Sequence, residues 1–160
     1  MLYSPLSSPT SSLAAPQPKN KEELMALLKE YNEGVKNHGE PNTWDVTLVT
    51  DMSYLFDDMT KFNEPIDQWN TSGVTTMYRM FRGALSFNQP ITMDTSKVTD
   101  MSHMFDGASS FNQPITMDTS KVTDMNYMFD GATAMTHPKP SLKAAVSNFF
   151  FESVADQNQK

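Results

Sequence analysis

Residues 86–101 read SFNQPITMDTSKVTDM, and residues 110–125 repeat that string without a change. This return after 24 residues constrains the chain more than any other feature in it. Aligned on Val98 and Val122, the pattern steps back to Val74 at the same period and to Val49 at a spacing of 25. A unit of about 20 to 50 residues is too small to bury its own apolar face and buries it against the next unit, so the period predicts a solenoid.

Within each unit the apolar residues form columns. Val49, Val74, Val98 and Val122 open them, followed by Met52, Met77, Met101 and Met125, then Leu55, Met80, Met104 and Met128, and then Phe56, Phe81, Phe105 and Phe129. The spacing i, i+3, i+6, i+7 predicts a short helix. Thr50, Thr75, Thr99 and Thr123 stand where N-caps belong, Asp51, Asp100 and Asp124 lie near its positive end, and Gly83, Gly107 and Gly131 close it, with Asp58 in that place in the first unit. The second half of each unit carries Phe62, Phe87 and Phe111, then Asn63, Asn88 and Asn112, then Pro65, Pro90 and Pro114, then Ile66, Ile91 and Ile115. It predicts a short extended segment that starts after the proline, because proline has no N–H for a ladder. Asn63, Asn88 and Asn112 are expected to point inward as a structural ladder, bonding the backbone of the adjacent turn.

The ends differ from the middle. Residues 1–18, Ser- and Pro-rich, read as an extended or disordered tail; residues 19–40 hold a capping helix, expected over 21–37 with Asn20 and Glu23 as its capping box; residues 41–135 hold the repeats. After Ala132 the pattern breaks, and residues 136–160 are expected to supply a C-terminal capping helix from LKAAVSNFFFESVA. Three consecutive phenylalanines cannot share one helix face, which makes Phe151 a candidate contact residue.

Composition narrows function by exclusion. Without cysteine there is no disulfide framework, thiolate metal site or cysteine nucleophile. A net charge of −7 with 12 unclustered basic residues argues against nucleic acid. No stretch approaches the roughly 20 apolar residues of a membrane span, so an integral membrane protein is not expected. The opening MLYSPLSSPTSSLAAP lacks the basic start and apolar core of a secretory signal; it is Ser-rich and acid-free like an organellar targeting segment, but has no Arg. The three histidines, His38, His103 and His137, do not recur at ligand spacing, and turn chemistry accounts for the acidic columns, so no metal, cofactor or catalytic constellation is expected. Tyr54, Tyr78, His103 and Tyr127, read as one variable column, are the candidate partner-contact stripe.

The unit V-T-D-M-S-x-M-F-x-G-A-x-x-F-N-Q-P-I-x-x-W-D-T-S resembles the repeat of the BspA-like leucine-rich-repeat surface-protein family, which also defines a mycoplasma domain of unknown function. The resemblance runs from about Trp44 to Ala132 over successive units. Later units depart from it where one residue is deleted and Met93 and Met117 replace tryptophan. It implies an α/β, leucine-rich-repeat-like right-handed solenoid of about three to four turns, each a short helix plus a short parallel strand, capped by a helix at each end. It also implies a binding role without an activity to carry over. The expected function is a non-enzymatic protein-protein interaction module, a peripheral or linking subunit of a larger assembly that docks through its repeat surface and N-terminal tail. The competing expectation is a cell-surface adhesin or carbohydrate-binding fragment.

Overall fold

The computed structural model describes residues 14–141. The expected C-terminal capping helix, Phe151 and residues 1–13 of the tail lie outside the described residues. Helix α1 spans Lys21–Asn32. Half of the expected capping box forms: the Asn20 side chain accepts from the Glu23 N–H at 2.9 Å, while the Glu23 carboxylate accepts not from the Asn20 N–H but from that of Lys19, one residue earlier, at 2.8 Å. The helix stops earlier than the expected residue 37. Gly34 takes φ +95°, and the N–H groups of Gly34 and Val35 return to Tyr31 and Glu30 at 3.0 and 2.9 Å, closing the helix end well before Gly39. Leu24, Leu28 and Tyr31 are buried. Lys21 Nζ reaches the Asp51 carboxylate at 3.0 Å and Ser53 Oγ at 3.1 Å, which fixes α1 across the start of the first repeat.

The repeats do not build the expected units. Among the described residues there is α1, a 3-10 helix at Pro41–Thr43 and three isolated parallel bridges, Asp51 to Thr76, Thr76 to Asp100 and Asp100 to Asp124; the remainder is turn and coil. The leucine-rich-repeat-like right-handed solenoid of helix plus parallel strand is therefore overturned. The physical reason lies in where the N–H groups point. Met52, Tyr54, Phe56 and Asp58 donate to the carbonyls of Thr76, Tyr78, Met80 and Arg82 in the following unit, at 2.8 to 3.1 Å. Met77, Arg79, Phe81 and Gly83 do the same to Asp100, Ser102, Met104 and Asp106, and Met101, His103, Phe105 and Gly107 to Asp124, Asn126, Met128 and Asp130. Every second N–H thus leaves its own unit, so a helix cannot form, since it needs every N–H for its own chain. Positive φ at Tyr54, Arg79, His103 and Tyr127 also breaks the conformation that a helix or a strand requires.

Residues between these donors close tight turns, as where the Met80 N–H meets the Met77 carbonyl and the Arg82 N–H meets that of Arg79. Asp51 and Asp100 accept from the N–H and hydroxyl of Ser53 and Ser102, and Asp124 from the Asn126 N–H, so these acids shape turns and do not flank a helix. In the proline-bearing half, side chains join the units instead of strands. Asn63 Oδ1 accepts from the Asn88 N–H at 2.8 Å, Asn88 Oδ1 from the Asn112 N–H at 2.9 Å, and Asn112 Oδ1 from the Thr136 N–H at 2.9 Å. These asparagines do not point into the core: Asn63 is exposed and Asn88 and Asn112 are half-buried.

Two columns of stacked phenylalanine run through the core, flanked by the buried valine, methionine and isoleucine side chains. Phe56, Phe81, Phe105 and Phe129 follow one another with centroids 4.9, 5.3 and 5.3 Å apart and planes within 9° of parallel. Phe62, Phe87 and Phe111 stack beside them at 6.3 and 6.1 Å. Each buried ring contributes about 1.5–3 kcal/mol and each ladder hydrogen bond about 1 kcal/mol net, so the rings dominate stability and the ladder sets register. Trp44 and Trp69 donate through Nε1 to the carbonyls of His38 and Pro41 at 2.9 and 2.7 Å. Met93 and Met117 have no such donor to place, which suits the shorter later units.

Candidate functional site: an aromatic and arginine stripe

One side of the stack carries a continuous row of rings. Tyr54 meets Tyr78 edge-on at 5.2 Å, Tyr78 meets His103 edge-on at 6.1 Å, and His103 stacks on Tyr127 at 4.9 Å. Tyr54, Tyr78 and His103 are half-buried, and Tyr127 is 64% exposed. The four residues are brought together, but they are not one column. Tyr54, His103 and Tyr127 stand five residues after their valines, whereas Tyr78 stands four after Val74; Arg79 holds the equivalent place. Arg79 is the residue sequence reasoning missed, and counting from the valines would have found it.

Four large side chains therefore occupy left-handed backbone positions: Tyr54 at φ +64°, Arg79 at +53°, His103 at +55° and Tyr127 at +56°. Each costs roughly 1–2 kcal/mol against glycine. The Arg79 guanidinium carbon lies 5.0 Å from the Tyr78 ring centre and 5.9 Å from that of Tyr54. Its Nε is buried with no hydrogen-bond partner among the described residues. Neighbouring charges are otherwise paired: Arg82 bridges to Asp57 at 3.0 Å and Asp58 at 3.6 Å, and His103 Nδ1 lies 2.8 Å from the Asp106 carboxylate. Loss of surrounding water and a hydrogen bond with Tyr54 push the Tyr78 phenol up from its ordinary value, with Arg79 pulling against them. It stays neutral at physiological pH, so the stripe offers hydroxyl donors, ring faces and, at Arg79, a cation with no acidic partner among the described residues.

A second unforeseen row is structural. Thr71, Thr95 and Thr119 are buried, and their hydroxyls donate to the carbonyls of Asp94, Asp118 and Ser141 at 3.0, 2.9 and 3.0 Å. Asp94 and Asp118, the acidic column weighed for a cation, each accept from the N–H two residues on, of Ser96 and Ser120. Among the described residues no three His, Asp or Glu side chains are grouped to hold a metal, and no helix is long and apolar enough to cross a membrane.

No curated protein and no solved structure matches the chain. The family described as mycoplasma protein of unknown function, DUF285, matches residues 24–141, which takes in most of α1 and every repeat, and the chain belongs to that family.

Proposed function

We propose that the chain is a non-enzymatic protein-interaction module, a peripheral or linking subunit of a larger assembly, docking through the side that carries Tyr54, Tyr78, Arg79, His103 and Tyr127. The observation that carries this reading is the choice of residue at the strained positions. Glycine fills the other left-handed column at Gly83, Gly107 and Gly131, where it costs nothing, while tyrosine, arginine and histidine fill this one. The ring contacts return about 0.5–1.5 kcal/mol each beyond the area they bury, which offsets a backbone cost that glycine would not incur. Tyrosine and arginine are the residues that concentrate binding energy at protein interfaces. The tail reaches the same body: the Asp45 N–H donates to the Pro16 carbonyl at 3.0 Å and Gln17 Nε2 to the Asp45 carboxylate at 2.6 Å.

Affinity capture from the source cell with mass spectrometry tests the reading, using the full chain beside an Arg79→Gly, Tyr127→Gly variant, which relieves strain and keeps the fold. One protein held in stoichiometric amount by the full chain and lost by the variant is expected. Equal capture by both, or capture by neither, sinks it. A second reading, a surface adhesin or carbohydrate-binding fragment, draws on the resemblance to BspA-like surface proteins and on the exposed Tyr127 ring, and glycan binding lost in the same variant would favour it.

A further inference from the structure

Among the described residues every lysine is exposed except Lys21, and both arginines are half-buried. A cation drawn out of water needs a partner, and two of these three have one. Lys21 meets Asp51 at 3.0 Å, while Arg82 meets Asp57 at 3.0 Å and Asp58 at 3.6 Å. Arg79 has no such carboxylate among the described residues, although the whole chain carries 19 acids against 12 bases.

Its side chain is nonetheless held in place. The Arg79 N–H donates to the Ser102 carbonyl at 3.1 Å and its carbonyl accepts from the Arg82 N–H at 3.2 Å, which fixes the backbone at φ +53°. The guanidinium lies against the rings of Tyr78 and Tyr54, an edge-on pair 5.2 Å apart. Because Nε is buried without an acceptor, the hydrogen bonds this group can offer a ligand fall to its two Nη groups. An arginine already laid on aromatic rings presents a planar fork and gives up little further freedom when that fork is filled.

We propose that Arg79 receives one aspartate or glutamate side chain of the partner protein, whose carboxylate accepts from both Nη groups; this rests on the interaction reading of the stripe given above. The surroundings select a single carboxylate over a phosphate or a run of acids. Asp106 lies 2.8 Å from His103, Asp100 acts on the Tyr78 phenol, and Asp57 and Asp58 hold Arg82, so acids already border the row. They repel a dianion or a cluster of carboxylates, while one carboxylate matches the one cation left over. The rings of Tyr54 and Tyr78 call for apolar residues on either side of that acid in the partner. Once the pair is enclosed, removing either member leaves the other charge buried and unmatched, so binding depends on both.

Random peptides displayed on phage and selected on the immobilised full chain supply the probe. The selected peptides are expected to share one Asp or Glu among apolar residues. A synthetic peptide of that sequence is expected to bind at least about thirtyfold more weakly to Arg79→Gln, and to lose as much when its own acid is replaced by the amide, a change that leaves the protein untouched. Arg79→Lys, which keeps the charge and loses the fork, is expected to fall between. Peptides that bind the stripe without an acid, or that bind Arg79→Gln unchanged and are lost in the Arg79→Gly, Tyr127→Gly variant, overturn the carboxylate assignment and leave the interaction reading standing. Selection that yields no peptide, or only peptides indifferent to that double variant, overturns both. Binding displaced by inorganic phosphate but not by acetate overturns the assignment in favour of a phosphorylated ligand. A mass from light scattering that doubles with concentration in the full chain but not in Arg79→Gln overturns it in favour of an acid from a second copy.

Discussion

At Gly107 the backbone takes φ +71°, and a Cβ there would stand 3.7 Å from the Gly83 backbone of the preceding unit, an ordinary contact. The cost of a side chain at this position is therefore conformational and not steric. Gly107→Ala is expected to lower stability by about 1–2 kcal/mol, while Gly107→Asn, whose side chain tolerates the left-handed region, loses less. Asp58 already stands at the equivalent place at φ +55°, which supports the distinction. Urea denaturation of the two variants checks it, and an alanine variant as stable as the asparagine one would show that the left-handed conformation is not retained. Gly131 differs, because its Cβ would come within 3.2 Å of Gly107, so both variants should be costly there. Charge acts at this scale too. Partial burial raises the Asp51 carboxyl, but the Ser53 hydroxyl and N–H and Lys21 outweigh it and hold the group below its usual value. A carboxyl depressed in the folded state releases its proton more readily there than in the unfolded chain. Its contribution is thus complete above the ordinary aspartate value near 3.9 and fades as acid titrates the folded form.

The elements of this fold are side-chain rows as much as backbone ladders, and the asparagine row shows how one residue serves two units. Asn88 donates its N–H to Asn63 and accepts from Asn112 and, at 3.0 Å, from Gln113 Nε2. Asn88→Ala leaves the half-buried Asn112 N–H without its acceptor, at about 1–2 kcal/mol. Asn88→Asp keeps an acceptor oxygen and should recover most of that loss at neutral pH; equal loss in both would mean the oxygen is not what holds the turn. This row, the valine, methionine and phenylalanine columns and the cap of α1 were legible because each follows from residue type at a fixed period. The conformation joining them was not. The spacing of Val98, Met101, Met104 and Phe105 suits a helix, and it suits equally a chain that alternates right- and left-handed residues, since apolar periodicity carries no information about the sign of φ at His103. The stripe was legible as tyrosines and a histidine, but grouping by ring type placed Tyr78 in the column that belongs to Arg79. The threonine row at Thr71, Thr95 and Thr119 was hidden because a hydroxyl among Asp and Ser looks like loop polarity until its acceptor, a carbonyl 22 or 23 residues away, is known.

Across the whole molecule, the ladders and rows that join units run only between neighbours 22 to 26 residues apart, so stability should divide by position along the stack. The two tryptophans report one end alone: Trp44 and Trp69 are buried in the first two units and bonded to the carbonyls of His38 and Pro41. Phe129 belongs to the last unit, and among the rings of the described residues it stacks on Phe105 alone. Phe129→Ala is expected to cost about 3 kcal/mol, at the low end for a buried ring, and to spend it locally. Amide exchange should accelerate from Val122 to Ala132 while the denaturant midpoint read by tryptophan emission moves little. Phe81→Ala removes a ring that contacts Phe56, Phe87 and Phe105, joining the front of the stack to its middle, and should shift both signals together. If Phe129→Ala moves the emission midpoint as far as Phe81→Ala does, the stack unfolds as one cooperative unit and nearest-neighbour coupling is refuted. If the two separate, the back of the molecule opens independently of the front, and a partner that grips the stripe from Tyr54 to Tyr127 would stabilise the weak end by clamping it to the strong one.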